Sequence, residues 1–161
     1  MELPKRKHNR LSGYDYSLPN VYFLTACTEQ RKNLFWENVG ATIGRPQDLQ
    51  LSPWGIIVQD SILHIPRVYP SVTVVHYVIM PNHIHLLLQI NADNDGRSII
   101  TPTVSVIMQQ MKGAVTKRIG HTIWQKSFHD HIVRSEKEFR KIWEYIDSNP
   151  ILWQKDCFYT E

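Results

Sequence analysis

The chain has 161 residues, of which 42% are hydrophobic and 20% charged, with a formal net charge of +3. That length suits one domain, expected over 1–161, and the composition excludes disordered and fibrous classes. No stretch approaches the roughly 18 consecutive apolar residues of a membrane span, so no membrane partner is expected. Two cysteines, Cys27 and Cys157, are too few for a disulfide framework or a four-cysteine zinc site. Reduced thiols and a cytoplasmic location are therefore expected, and no apolar run follows the basic first residues to make a secretory signal. The mild basic balance is compatible with a phosphate-bearing partner without requiring one. Lys5, Arg6, Lys7, His8 and Arg10 crowd the N-terminus, as either a solvated tail or a contacting arm.

Val21–Thr28, rich in β-branched and aromatic residues, reads as a first strand. Lys32–Leu51, with Gly40, Gly44 and Pro46, reads as an irregular excursion or hairpin. Ser52-Pro53 opens a helix as N-cap and first-turn proline, and Pro66 and Pro70 are expected to stop it. Val72–Met80 reads as a buried strand, Pro81-Asn82 as a turn, and His83–Ile90 as the antiparallel neighbour. A polar loop follows around Asp95-Gly96.

Val104, Ile107, Met108, Met111 and Val115 then fall at helical spacing, closed by Gly120. Trp124–Val133 is extended. Ser135 with Glu138 forms a capping box for a third helix with the apolar stripe Phe139, Ile142, Trp143 and Ile146, ended by Asn149-Pro150. The order β-α-β-β-α-β, then α, predicts an α+β fold: a ferredoxin-like antiparallel sheet with two helices on one face. The additional C-terminal helix must pack near that sheet.

Strand side chains two apart share a face, so His83 and His85 project side by side while Ile84 points away. Two such imidazoles are ready metal ligands, or simply two hydrogen-bonded histidines. Tyr145 and Asn149, four apart on a helix, lie one above the other on the flank of the apolar stripe. Alone, they read equally as an aromatic sealing the core edge, its hydroxyl outward, and a residue capping the helix end. His129-Asp130-His131 repeats the histidine spacing, but its central acid points to local polar contacts.

Tyr77-Val78-Ile79-Met80-Pro81-Asn82-His83-Ile84-His85, with Tyr145-Ile146-Asp147-Ser148-Asn149-Pro150 downstream, resembles the single-tyrosine HUH transposases. Trp124-Gln125, Phe128–Arg134, Trp153 and Asp156 narrow the resemblance to the REP-associated tyrosine transposases of the IS200-like branch. It extends from about Tyr14 to Tyr159. The resemblance implies that Tyr145 is the nucleophile and that His83, His85 and Asn149 hold a divalent metal, Mg²⁺ or Mn²⁺. It implies metal-dependent nicking and rejoining of single-stranded, hairpin-bearing DNA through a 5′-phosphotyrosine intermediate, by a transposase or a domesticated transposase.

Arg6, Lys7, Arg10, Lys112, Lys117, Arg118, Lys126 and Arg134 are the candidate DNA contacts. The chain is expected to act as a monomer or homodimer. Two other classes stay open: a hairpin-DNA-binding protein without catalysis, and a phosphodiesterase using a metal-bound water.

Overall fold

The computed structural model describes residues 11–37, 49–92 and 101–160. Four strands, β1 (Asn20–Cys27), β2 (Val72–Ile79), β3 (His83–Ile90) and β4 (His129–Val133), form one sheet in the order β2-β3-β1-β4. Every neighbouring pair is antiparallel. With α1 (Pro53–Val68) and α2 (Val104–Ile119) as the two crossovers, this is the expected ferredoxin-like α+β plan. The added helix α3 (Glu136–Ser148) follows β4.

Register divides the sheet into two faces, because directly paired residues share a side. Leu24 pairs with Leu86, Tyr22 with Leu88 and Ala26 with Ile84. All are buried with the apolar stripes of α1 and α2. Each fully buried leucine contributes about 1.5–3 kcal/mol, so this face supplies much of the driving force. Tyr77, paired with Leu86, also faces this side, and its hydroxyl accepts a hydrogen bond from Gln59 of α1 at 3.1 Å.

The other face carries Cys27 opposite His83, Thr25 opposite His85 and Phe23 opposite Leu87. β4 adds His129 beside Thr25 and His131 beside Phe23. A β-bulge between Val74 and His76 breaks the alternation of β2. Val74 pairs with Leu88 but His76 with Leu87, so the extra residue carries His76 onto the histidine face. Helix α3 and the segment after it cover this second face, which is why β3 is buried almost continuously.

Local chemistry sets the boundaries. Ser52 Oγ accepts from Gly55 N at 3.1 Å, as an N-cap should. Gly55 itself is dictated by packing: a Cβ there would lie 2.3 Å from the Phe35 carbonyl oxygen. Pro66 does not stop α1, which runs to Val68. A proline this near the end forfeits one intrahelical bond, and Tyr69 N still donates to Ile65 O at 2.9 Å beyond it. α2 ends at Gly120, whose φ of +98° suits glycine.

Ser135 caps α3 through Glu138 N, but the reciprocal half of the capping box is displaced by one residue. Glu138 accepts from Arg134 N at 2.8 Å and pairs with His131 instead. Of the excursion after β1, an antiparallel bridge joins Trp36 to Leu51, and residues 38–48 lie outside the described residues. The loop around Asp95-Gly96 does too. No helix among the described residues is long and apolar enough to cross a membrane.

Candidate active site

The turn between β2 and β3 is held from several sides. Pro81 O accepts from Leu34 N at 2.8 Å and Phe35 N at 3.0 Å, while Asn82 O accepts from Thr28 N at 2.9 Å. The Asn82 side chain then orients the first histidine. Its Nδ2 donates to Phe158 O at 2.8 Å and Arg31 O at 3.3 Å, so its Oδ1 is left as acceptor. That oxygen lies 2.8 Å from His83 Nδ1, which must therefore carry the proton. His83 Nε2 is left with its lone pair exposed to the site. His85 Nδ1 is held 2.8 Å from Thr25 Oγ1, a hydroxyl that serves either tautomer.

The two Nε2 atoms lie 3.1 Å apart, with His83 0% and His85 2% exposed. Burial pushes the His83 pKa down to about 2, helped by His85 and Arg31, and that of His85 down to about 3. Both rings are thus neutral at physiological pH, and two basic nitrogens converge in a dry place. Phe158 packs against His83 at 4.5 Å between ring centroids, and Phe23 stacks on His85 at 5.2 Å.

Tyr145 reaches this pair from α3. Although its side chain is 38% exposed, the hydroxyl does not point outward as its place on the helix flank suggests. Tyr145 Oη lies 3.3 Å from His85 Nε2 and 3.5 Å from Asp156 Oδ2. The rotation of α3 turns the phenol inward, with the ring edge-on to Phe23 at 6.3 Å. Burial and then the Asp156 charge raise the Tyr145 pKa to about 12, and the nearby Asn149 amide pulls the other way.

Asn149 is 3% exposed, and its amide makes no hydrogen bond of ordinary geometry at either atom. A buried amide whose hydrogen bonds are incomplete costs up to about 1–3 kcal/mol, and the Asn149 amide, with the Tyr145 hydroxyl near it, has bonding capacity left for an occupant of the site. His83, His85 and Asp156 bring donor atoms within 4.8 Å of one another, a group able to hold a divalent cation. Imidazole nitrogens with carboxylate or amide oxygens suit borderline divalent metals, so the residues present fit such an ion.

Of the residues singled out from the sequence, His83, His85 and Tyr145 come together, with Asn149 beside the phenol. Asp156 belongs to the group although sequence reasoning gave it no role; its place among the motif residues was the available signal. Asn82 stood within the histidine motif without a role, and Thr25, Phe158 and His76 carried no signal, because each acts through a strand pairing or chain crossing. His131 makes the local polar contact expected of it, with Glu138.

The basic residues scatter. Arg6, Lys7 and Arg10 lie outside the described residues. Arg118 pairs with Asp60 of α1 at 3.2 Å, a contact between helices. Lys112 is half-buried with Nζ donating to Gln125 O at 2.7 Å, while Lys117, Lys126 and Arg134 are exposed.

Comparison with known proteins bears on the fold and the family. A solved REP-associated tyrosine transposase bound to a REP hairpin superposes with a TM-score of 0.60 at 21% identity, covering 88% of this chain and 73% of its own, a likeness of fold. An uncharacterized protein of Haemophilus influenzae is 31% identical over 175 aligned residues, covering 97% of this chain and 94% of its own. A second Haemophilus influenzae protein, provisionally named a REP-associated tyrosine transposase, is 31% identical over 91 residues, 52% of this chain and 51% of its own. The family described as "Transposase IS200 like" matches residues 61–149, from within α1 through Tyr145 to Asn149. The chain belongs to the IS200-like transposase family, and its role is transposase-type DNA processing.

Proposed function

We propose that this protein nicks and rejoins single-stranded DNA bearing hairpins, with Tyr145 as nucleophile and His83, His85 and Asn149 holding Mg²⁺ or Mn²⁺. The observation that carries the reading is the placement of Tyr145 Oη, 3.3 Å from one of two convergent, unprotonated imidazoles. The hairpin substrate class is drawn from the hairpin-bound relative. When bound, the cation would polarise the scissile phosphate and offset the charge that develops on its oxygens.

The chain's own residues supply the rest. Asn82 and Thr25 hold the imidazoles with their Nδ1 atoms engaged, so Nε2 faces inward. Tyr145 Oη forms the new bond to phosphorus as the P–O3′ bond breaks, leaving a 5′-phosphotyrosine and, after proton uptake, a 3′-hydroxyl. Asp156 takes the phenolic proton at Oδ2. Its Oδ1 is engaged by Phe158 N at 2.7 Å, which aims the other oxygen toward Tyr145. Attack by another 3′-hydroxyl reverses the sequence without ATP, because the tyrosyl ester retains the energy of the phosphodiester.

The test is a denaturing gel after incubation with labelled single-stranded hairpins drawn from the surrounding genomic sequence, with Mn²⁺ or with chelator. A labelled protein band that requires metal and disappears in Tyr145→Phe supports the reading. Cleavage without such a band, persisting in Tyr145→Phe, replaces it with a metal-bound-water phosphodiesterase. Binding without cleavage replaces it with a hairpin-binding protein.

A further inference from the structure

Helix α2 has two faces of different chemistry. Val104, Ile107, Met108, Met111 and Val115 are buried in the core. Ser105, Gln109, Lys112 and Thr116 follow one another at spacings of four, three and four, which aligns them as a polar stripe. Residues 122–128 run opposite that stripe, and the two walls enclose a groove of about 430 Å³. None of the residues around the histidine pair and Tyr145 lines it.

Gly113 lies in this groove, and a Cβ added there would meet nothing within 4 Å. Packing therefore does not demand glycine, and its φ is not positive. Alanine in its place would strengthen the helix by about 1 kcal/mol. The position therefore has room for a side chain directed into the groove.

The charges lining the groove are of one sign. It contains Lys112 and Lys126 and no carboxylate, whereas two other surface cavities among the described residues contain Asp60 or Glu136 and Glu144. Among the described residues no carboxylate pairs with either lysine. Trp124, another lining residue, is 5% exposed and its indole N–H has no acceptor. Hydroxyls, amides, two ammonium groups and an unpaired buried donor make a lining that suits a polyanion.

The groove wall is also tied to β1, the strand that pairs with the histidine-bearing β3. Gln125 N donates to Cys27 O at 2.9 Å, and Thr28 bridges to Trp124, which fastens the groove wall to the end of β1. Cys27 is the register partner of His83. The groove thus opens at the same end of the sheet as the histidine pair, on the far side of β1.

We propose that this groove binds the sugar–phosphate backbone of single-stranded DNA flanking the cleavage position, with Lys112 and Lys126 serving its phosphates. The proposal rests on the single-strand-cleaving reading above. Phe128 at the margin adds the aromatic surface that single strands use for their bases.

The test is fluorescence anisotropy with two labelled probes, a DNA hairpin carrying a single-stranded tail and the same hairpin blunt-ended. Gly113→Glu places bulk and negative charge in the groove with a good helix former, and thermal melting confirms that it folds. It is expected to weaken binding of the tailed probe by about tenfold while leaving the blunt probe unchanged, and Lys126→Gln should reduce the salt slope for the tailed probe by about one. Gly113→Ala should bind both probes as the unaltered protein does. Equal affinity of Gly113→Glu for the tailed probe, or an equal loss on both probes, overturns the proposal. Tailed-probe binding that shows these effects without any metal-dependent covalent adduct upholds the groove and overturns the cleavage reading. Failure of the unaltered protein to bind either probe overturns both.

Discussion

His76 Nε2 on β2 lies 2.7 Å from Asp147 Oδ1 on α3, and the same imidazole stacks on Trp143 at 4.2 Å. Trp143 and Asp147 are one helical turn apart and stand on either side of Tyr145 in the chain. Ile146 alone among the α3 residues is fully buried, so few other contacts fix the helix about its axis. His76 thereby acts as a positioning residue for the tyrosine.

His76→Ala is expected to slow formation of the covalent adduct by about tenfold at saturating Mn²⁺, the size of effect that a small misplacement of a reacting group produces. The Mn²⁺ concentration for half-maximal activity should not move, because His76 touches none of the ligands. His76→Phe retains the stacking and should recover part of the rate. Wild-type rates in His76→Ala would mean that Ile146 aims α3 without help from β2.

Asp156→Asn separates proton transfer from metal binding. The amide keeps an oxygen near the site but cannot accept the phenolic proton, and general-base contributions are typically about 10²–10⁴-fold. The expected outcome is a loss of single-turnover rate in that range with unchanged metal dependence. A shifted metal titration with the rate restored at high Mn²⁺ would instead make Asp156 chiefly a ligand.

The buried histidines predict acid sensitivity. Their folded pKa values, about 2 and about 3, lie below the ordinary 6.5, so between these limits the unfolded chain binds more protons. Stability therefore falls as pH drops below 6.5, by up to about 1.4 kcal/mol per pH unit for each histidine well below that value. Chemical denaturation in chelator from pH 7.5 to 5 should show this slope, and the double variant His83→Gln with His85→Gln should flatten it. A wild-type profile flat over that interval would contradict neutral burial of the pair.

Gly55→Ala tests how α1 supports the site. The added methyl would meet the Phe35 carbonyl at 2.3 Å, and Phe35 N donates to Pro81 O in the turn before His83. Overpacking of this kind costs about 1–3 kcal/mol, to be read as a lower denaturation midpoint. Displacement of the turn should also slow adduct formation in the fraction that remains folded. An unchanged midpoint would show that the Phe35 segment yields freely.

Local pattern was enough for the elements and for part of the site. Two-residue alternation puts His83 and His85 together, and a four-residue spacing puts Asn149 beside Tyr145, whatever the rest of the chain does. Caps at Ser52 and Ser135 and the left-handed Gly120 are equally local. The bulge in β2 was not legible, because Val72–Met80 reads by composition as one buried strand with nothing to mark an extra residue. Neither was the inward turn of the Tyr145 hydroxyl, which depends on contacts from β2 and not on the helix itself.

The sequence by itself determined that His83 lies beside His85 and Asn149 beside Tyr145, and the order of the elements that hold them, since periodicity, capping and short motifs are properties of neighbouring residues. Tertiary structure alone decided that Thr25 and Asn82 orient the imidazoles, that Asp156 joins them, and that a groove opens beside Gly113. Those relations join residues as far apart in the chain as His83 and Asp156, and they exist only once strand order and register have put the segments side by side.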